Sequence, residues 1–281
     1  MIDFNNNVNN NDNFEVSSMT NISLKKLMKN GKFMFLACDQ GLEHGPKDFN
    51  EKNIDPKYIF DIALEGNYSA IIVEPGVAEK YYRGPYKSVP LIVKLNGKTS
   101  IPNIEPRSTQ HCSVARALKM GASAVGYTIF VGSRQEPEIF AEFGKIVEEA
   151  HDFGLPVVAW VYARGEDVKN ELSNDILAYA ARIGLELGAD IVKIKYNGDP
   201  GCLKWMKQCA GKTKMVISGG SKDDTRLFLD KVHTAVNEVG VDGLAVGRNV
   251  WQSDRPFSMS KALERIIFHK AKVDEVMHYF K

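Results

Sequence analysis

From Lys32 onward the chain alternates short β-branched or aromatic runs with longer amphipathic stretches, and this alternation restricts the fold more than any other feature. Eight runs read as strands: Phe33 to Asp39, Ala70 to Glu74, Leu91 to Asn96, Ala122 to Ile129, Pro156 to Tyr162, Ile191 to Tyr196, Met215 to Ser218 and Gly243 to Val246. Between them lie helical patterns such as Pro137 to Phe153, Asp175 to Leu187, Lys222 to Val239 and Phe257 to Tyr279. Three of these run into a glycine (Gly154, Gly188, Gly240), the residue that best accepts the left-handed turn after a helix. Only the stretch Val77 to Pro90 is too irregular to assign. Strands alternating with helices imply a parallel sheet covered by helices, and eight repeats in about 250 residues predict a closed (β/α)8 TIM barrel rather than an open doubly wound sheet. No G-x-G-x-x-G follows the first strand, which argues against a dinucleotide-binding sheet.

The segment before the barrel differs in composition. Seven asparagines fall between Asn5 and Asn13 and no lysine or arginine precedes Lys25, so residues 1–24 read as a disordered polar tail and residues 25–281 as one catalytic domain. The tail carries Asp3, Asp12 and Glu15 and no apolar stretch, unlike a secretory or mitochondrial leader, and no run approaches the roughly 20 residues that span a bilayer. A cytoplasmic location is the expectation. The net charge of +1 leaves no electrostatic footprint for nucleic acid or an anionic membrane. Cys38, Cys112, Cys202 and Cys209 make no C-x-x-C pair, and the histidines form no metal-ligand spacing, so neither metal nor cofactor is expected.

In a TIM barrel the loops after the strand C-termini build the active site. The sixth strand there carries Lys193 and Lys195 at i and i+2 inside an apolar run, so both amines share one face. A desolvated lysine loses its proton more readily, and a neutral amine attacks a carbonyl to give a Schiff base; the alternative is a pair of structural ions matched to carboxylates. Spacing alone does not separate the two, although Lys193 lies nearer the strand centre. The first strand ends in Asp39-Gln40-Gly41-Leu42-Glu43-His44-Gly45-Pro46, and the fifth sends Trp160 and Tyr162 inward together. An acid, a phenol and an amine converge on one mouth.

Strands seven and eight run into Ser218-Gly219-Gly220-Ser221-Lys222 and Val246-Gly247-Arg248-Asn249, glycine loops with basic residues that suit a phosphate. The substrate is expected to be phosphorylated. Gly97-Lys98-Thr99 and Gly211-Lys212-Thr213 resemble the end of a P-loop, but Ile92 and Met206 stand where its first glycine belongs. Trp205 and Trp251 read as packing residues, and His44 as a loop-bonding residue.

Several of these motifs resemble the archaeal-type class I fructose-1,6-bisphosphate aldolases, relatives of deoxyribose-phosphate aldolase. The resemblance spans about Lys32 to Gln252 and rests on the Asp39 loop, Lys94-Leu95-Asn96-Gly97-Lys98-Thr99, Val125-Gly126-Tyr127-Thr128-Ile129, Trp160-x-Tyr162-x-Arg164-Gly165, Lys193-Ile194-Lys195-Tyr196-x-Gly198-Asp199-Pro200, Ser218-Gly219-Gly220 and Val246 to Gln252. It implies a metal-independent lyase of glycolysis and gluconeogenesis, and a homo-oligomer. It places Lys193 at the Schiff-base position, Tyr162 at the proton-transfer position, and Trp160 and Asp39 along the substrate. Ser218, Gly219, Gly220, Gly247, Arg248 and Lys195 are then the phosphate ligands, with Lys94, Lys195 or Arg164 available to the second phosphate. Lys195 is also expected to depress the pKa of Lys193 by like-charge repulsion. Gln40 and Ala163 depart from the family, which often has histidine and proline there. The competing readings are a transaldolase-like synthase or thiolase acting on another phosphosugar, and a phosphosugar-binding barrel without catalysis.

Overall fold

A computed structural model of the protein describes residues 22–281, so the expected tail lies almost wholly outside the described residues. Eight parallel strands close into a barrel: β1 (Phe33–Cys38), β2 (Ala70–Val73), β3 (Leu91–Lys94), β4 (Ala122–Val131), β5 (Val157–Ala163), β6 (Ile191–Ile194), β7 (Lys214–Ser218) and β8 (Gly243–Val246). Each strand pairs with its sequence neighbours, and β8 returns to β1 with Phe33 opposite Gly243. The fold is the TIM barrel expected from the alternation.

Strand alternation divides the core in two. Phe33, Phe35 and Ala37 of β1 point inward, where they meet Ala70, Ile72, Ile92, Ala124, Val158, Ile191, Val216 and Ala245. The intervening residues, such as Met34, Leu36, Ile71 and Val73, pack outward against the helices. Fully burying each such side chain contributes about 1.5–3 kcal/mol. At the N-terminal end of the barrel a 3-10 turn, Lys25–Leu27, pushes Leu27 into the inner cluster, and that side chain is completely buried.

Three expectations need correction. The last helical pattern does not run unbroken from Phe257 to Tyr279: a helix spans Pro256–His269, Lys270 takes a left-handed φ of 57°, and short turns follow at Val273–Val276 and Met277–Phe280. The apolar spacing continues across the break because Ala271, Val273 and Val276 are buried as well. The helix expected from Lys222 begins at Thr225, where Asp224 caps it by accepting from the Leu227 N–H at 3.1 Å, and it ends in a wide turn at Thr234–Glu238. Trp251 is buried as expected, but Trp205 is 56% exposed and packs no core. The unassigned second connection contains a helix, Pro75–Tyr81, and a 3-10 turn, Gly84–Ser88. No described helix is long and apolar enough to cross a membrane.

Candidate active site

The C-terminal mouth of the barrel holds a cavity of about 510 Å³, within the range of small-ligand sites. The fold brings Asp39, Trp160, Tyr162, Lys193, Lys195 and Arg248 to its wall, together with Ser218, Gly219, Gly220 and Gly247. Every site residue read from the sequence therefore lines one space.

Register sets the central pair. β5 and β6 place Trp160 opposite Lys193, and the Lys193 Nζ lies 5.0 Å from the centre of the indole ring. The indole has room because residue 126 on β4 is glycine: a Cβ there would meet its ring carbons at 2.5 Å. A glycine inside a strand marks such a close approach, and that is the signal by which sequence reasoning could have assigned Gly126 a role. Lys193 is 7% exposed, and burial lowers its pKa from the ordinary lysine value; Asp39 opposes the shift, while Lys94 and Arg248 add to it. A buried amine of this kind is available as a nucleophile.

The like charge behind that shift is not the one expected. β6 ends at Ile194, so Lys195 leaves the strand and its Nζ binds the Glu171 carboxylate at 2.5 Å. Lys94, at the end of β3, acts instead: its Nζ stands 5.0 Å from the same Trp160 ring and 3.8 Å from Asp39 Oδ2. It is 6% exposed and carries the same sequence signature as Lys193, a lysine inside an apolar run. In the sequence Lys94 reads only as a candidate phosphate ligand.

Around Tyr162 the mouth is strongly charged. Burial raises the pKa of its phenol, with the Asp39 carboxylate adding to the shift, so the group carries its proton at neutral pH. The Arg164 guanidinium stacks 5.5 Å from the Tyr162 ring and is held by Glu43 at 2.8 Å and Glu171 at 3.6 Å. Trp160 Nε1 is buried and donates to no group among the described residues.

Further round the barrel, the loops after β7 and β8 are tied together by Asn249, a residue without a role in the sequence analysis. Its side-chain amide donates to Gly219 O and Ser221 O at 2.7 Å each, and its Oδ1 accepts from the Asp223 N–H at 2.8 Å. The Gly247 backbone passes so close to β1 that a Cβ would meet Ala37 O at 2.9 Å. Arg248 Nη1 lies 3.9 Å from Asp48 Oδ2, which also binds His44 Nδ1 at 2.7 Å. His44 is thus loop-bonding and lines the cavity as well.

Residues 33–253 match the model of the DeoC/LacD family aldolases. The chain belongs to that family. A class 1 fructose-bisphosphate aldolase of Thermoproteus tenax is 45% identical over 265 residues, covering 94% of this chain and all of that protein. One of Halobacterium salinarum is 43% identical, covering 89% of this chain and 96% of its own length. Among solved structures, an archaeal fructose-1,6-bisphosphate aldolase with its catalytic lysine covalently bound to the carbinolamine intermediate of the substrate matches with a TM-score of 0.85. The two are 46% identical, and the match covers 89% of this chain and 99% of the other.

Proposed function

We propose that this chain is a class I aldolase that cleaves fructose-1,6-bisphosphate reversibly to dihydroxyacetone phosphate and glyceraldehyde 3-phosphate through a Schiff base on Lys193. The observation that carries the reading is the buried Lys193 amine, its pKa lowered by desolvation, in a cavity shared with Tyr162 and Asp39. The similarity to class 1 fructose-bisphosphate aldolases over nearly the whole chain supports the same substrate.

The neutral amine attacks the C2 ketone, and Tyr162, whose phenol holds its proton, protonates the departing oxygen as the carbinolamine loses water. The resulting iminium accepts the electron pair of the C3–C4 bond. Asp39 takes the C4 hydroxyl proton, glyceraldehyde 3-phosphate leaves, and a neutral enamine remains. Protonation at C3 and hydrolysis release dihydroxyacetone phosphate and restore the amine. In this reading Arg248 and the glycine loops hold one phosphate, and Lys195 and Arg164, which line the same cavity, meet the second.

The enzyme acts in this reading as a homo-oligomer of the cytoplasm, and its four unpaired thiols suit a reducing compartment. A coupled assay with fructose-1,6-bisphosphate and a panel of other phosphosugars tests the substrate. The highest kcat/KM is expected for the bisphosphate, undiminished by EDTA; loss of cleavage in EDTA with recovery on adding zinc would overturn the Schiff-base mechanism.

A further inference from the structure

The loop after β7 is held from behind. Asn249, in the short helix Arg248–Trp251, is buried and does not line the cavity, whereas Gly219, Gly220 and Ser221 do. The loop therefore lies between the Asn249 side chain and the cavity. From the far side, both protons of the Asn249 amide are spent on the loop, one on Gly219 O and one on Ser221 O, at 2.7 Å each. Its oxygen accepts the Asp223 N–H at 2.8 Å. The two ends of the loop are fixed as well. The Gly219 N–H donates to Ala245 O of β8 at 3.0 Å, and the Asp223 carboxylate accepts from Lys231 Nζ at 2.8 Å, on the helix Thr225–His233.

These bonds decide which way the peptide units face. No described peptide bond is cis, and in a planar trans unit the C=O and the following N–H point in opposite directions. With Gly219 O and Ser221 O drawn toward Asn249, the N–H groups of Gly220 and Lys222 face away from it, to the cavity side of the loop. Neither donates to a backbone carbonyl among the described residues. Gly220 takes a left-handed φ of 72°, a conformation in which successive N–H groups converge on an anion.

We propose that Asn249 is the positioning residue of the phosphate site: it turns the Gly220 and Lys222 N–H groups toward the phosphate that Arg248 binds. The inference rests on the phosphate reading of these loops above. Asn249 acts through two peptide units and does not touch the substrate. It follows Arg248 directly, so it couples the loop that supplies the guanidinium to the loop that supplies the N–H groups. Asparagine suits the task because one planar group carries two donors and an acceptor. Aspartate has the same shape and no donor. It keeps the bond to the Asp223 N–H but sets a negative charge against both carbonyls, which are then free to turn toward the phosphate and repel it.

The test compares the full-length wild type with Asn249→Asp and Arg248→Ala on fructose 1,6-bisphosphate, fructose 1-phosphate and fructose 6-phosphate. One monophosphate lacks the phosphate that these loops hold, and Arg248→Ala identifies it as the substrate least affected. Asn249→Asp is expected to follow the same pattern. For the bisphosphate and the other monophosphate, KM should rise about tenfold or more while kcat stays within about threefold; the spared monophosphate should keep its kcat/KM within about twofold. An equal fractional loss on all three substrates, or unchanged constants on all three, would overturn the proposal. If Asn249→Asp folds poorly, Asn249→Ser, uncharged and too short to reach both carbonyls, carries the same expectation. The Arg248→Ala arm keeps the two readings apart. Selective loss there with uniform loss in Asn249→Asp rejects the role of Asn249 alone; no selectivity in Arg248→Ala rejects the phosphate reading on which that role rests.

Discussion

The two ends of the barrel are built by the same alternation and filled in opposite ways. At the N-terminal end the inward positions carry Leu27, Phe33, Phe35 and Ile191, and the Phe33 and Phe35 rings lie 5.3 Å apart. At the C-terminal end, two residues further along β6 and at the end of β3, the inward positions carry Lys193 and Lys94, each less than a tenth exposed. Apolar packing at one end offsets the desolvation of charge at the other. The comparison teaches that burial here has two meanings: at the bottom it stabilises, and at the mouth it lowers an amine pKa at a cost in stability.

The sharpest way to break that comparison is Lys193→Met. Cleavage is expected to fall by at least about three orders of magnitude, since no other group supplies the imine. The fold should gain stability at neutral pH. The folded-state pKa of Lys193 lies below its unfolded value, so its penalty is complete below the folded pKa and fades as pH rises toward the unfolded one. Methionine removes the penalty. Thermal unfolding at pH 7 checks this, with Tm rising by about 2–4 °C for each kcal/mol relieved. A fall in Tm would mean that Lys193 is a net stabilising ion.

At the other end, Leu27→Ala should cost about 2–5 kcal/mol in denaturant unfolding, the usual effect of emptying a buried leucine site. The kcat per folded molecule should be unchanged. A loss of kcat matching the loss of stability would show that the plug and the mouth are coupled.

Arg248→Ala refines the comparison within the mouth. Removing a charge-assisted contact worth about 1.5–3 kcal/mol should lower kcat/KM for the bisphosphate by about 10- to 100-fold. An unphosphorylated analogue should be almost unaffected in the same assay. Equal fractional losses would assign Arg248 a structural role through Asp48, which lies 3.9 Å away.

The eight strands were legible because each is a short apolar run between helices, and the fold followed from their number. Boundaries were harder where packing outlasts hydrogen bonding: the residues after Lys270 keep apolar spacing although the helix has ended. In the site, parity along a strand was enough to send Asp39, Trp160, Tyr162 and Lys193 to one mouth. It failed for Lys195, since alternation holds only while the strand lasts, and Glu171, which binds that lysine, comes from the loop after β5. Lys94 and Asn249 were harder to read for a related reason. Their meaning lies in partners such as Asp39 and the Gly219 carbonyl, and only closure of the barrel brings those partners near.

The most direct test of the account is to reduce the enzyme with borohydride in the presence of fructose-1,6-bisphosphate and to map the modified peptide by mass spectrometry. One stable adduct is expected, on Lys193, absent from the Lys193→Met variant. An adduct on Lys94 or Lys195, or one formed undiminished in Lys193→Met, would contradict it.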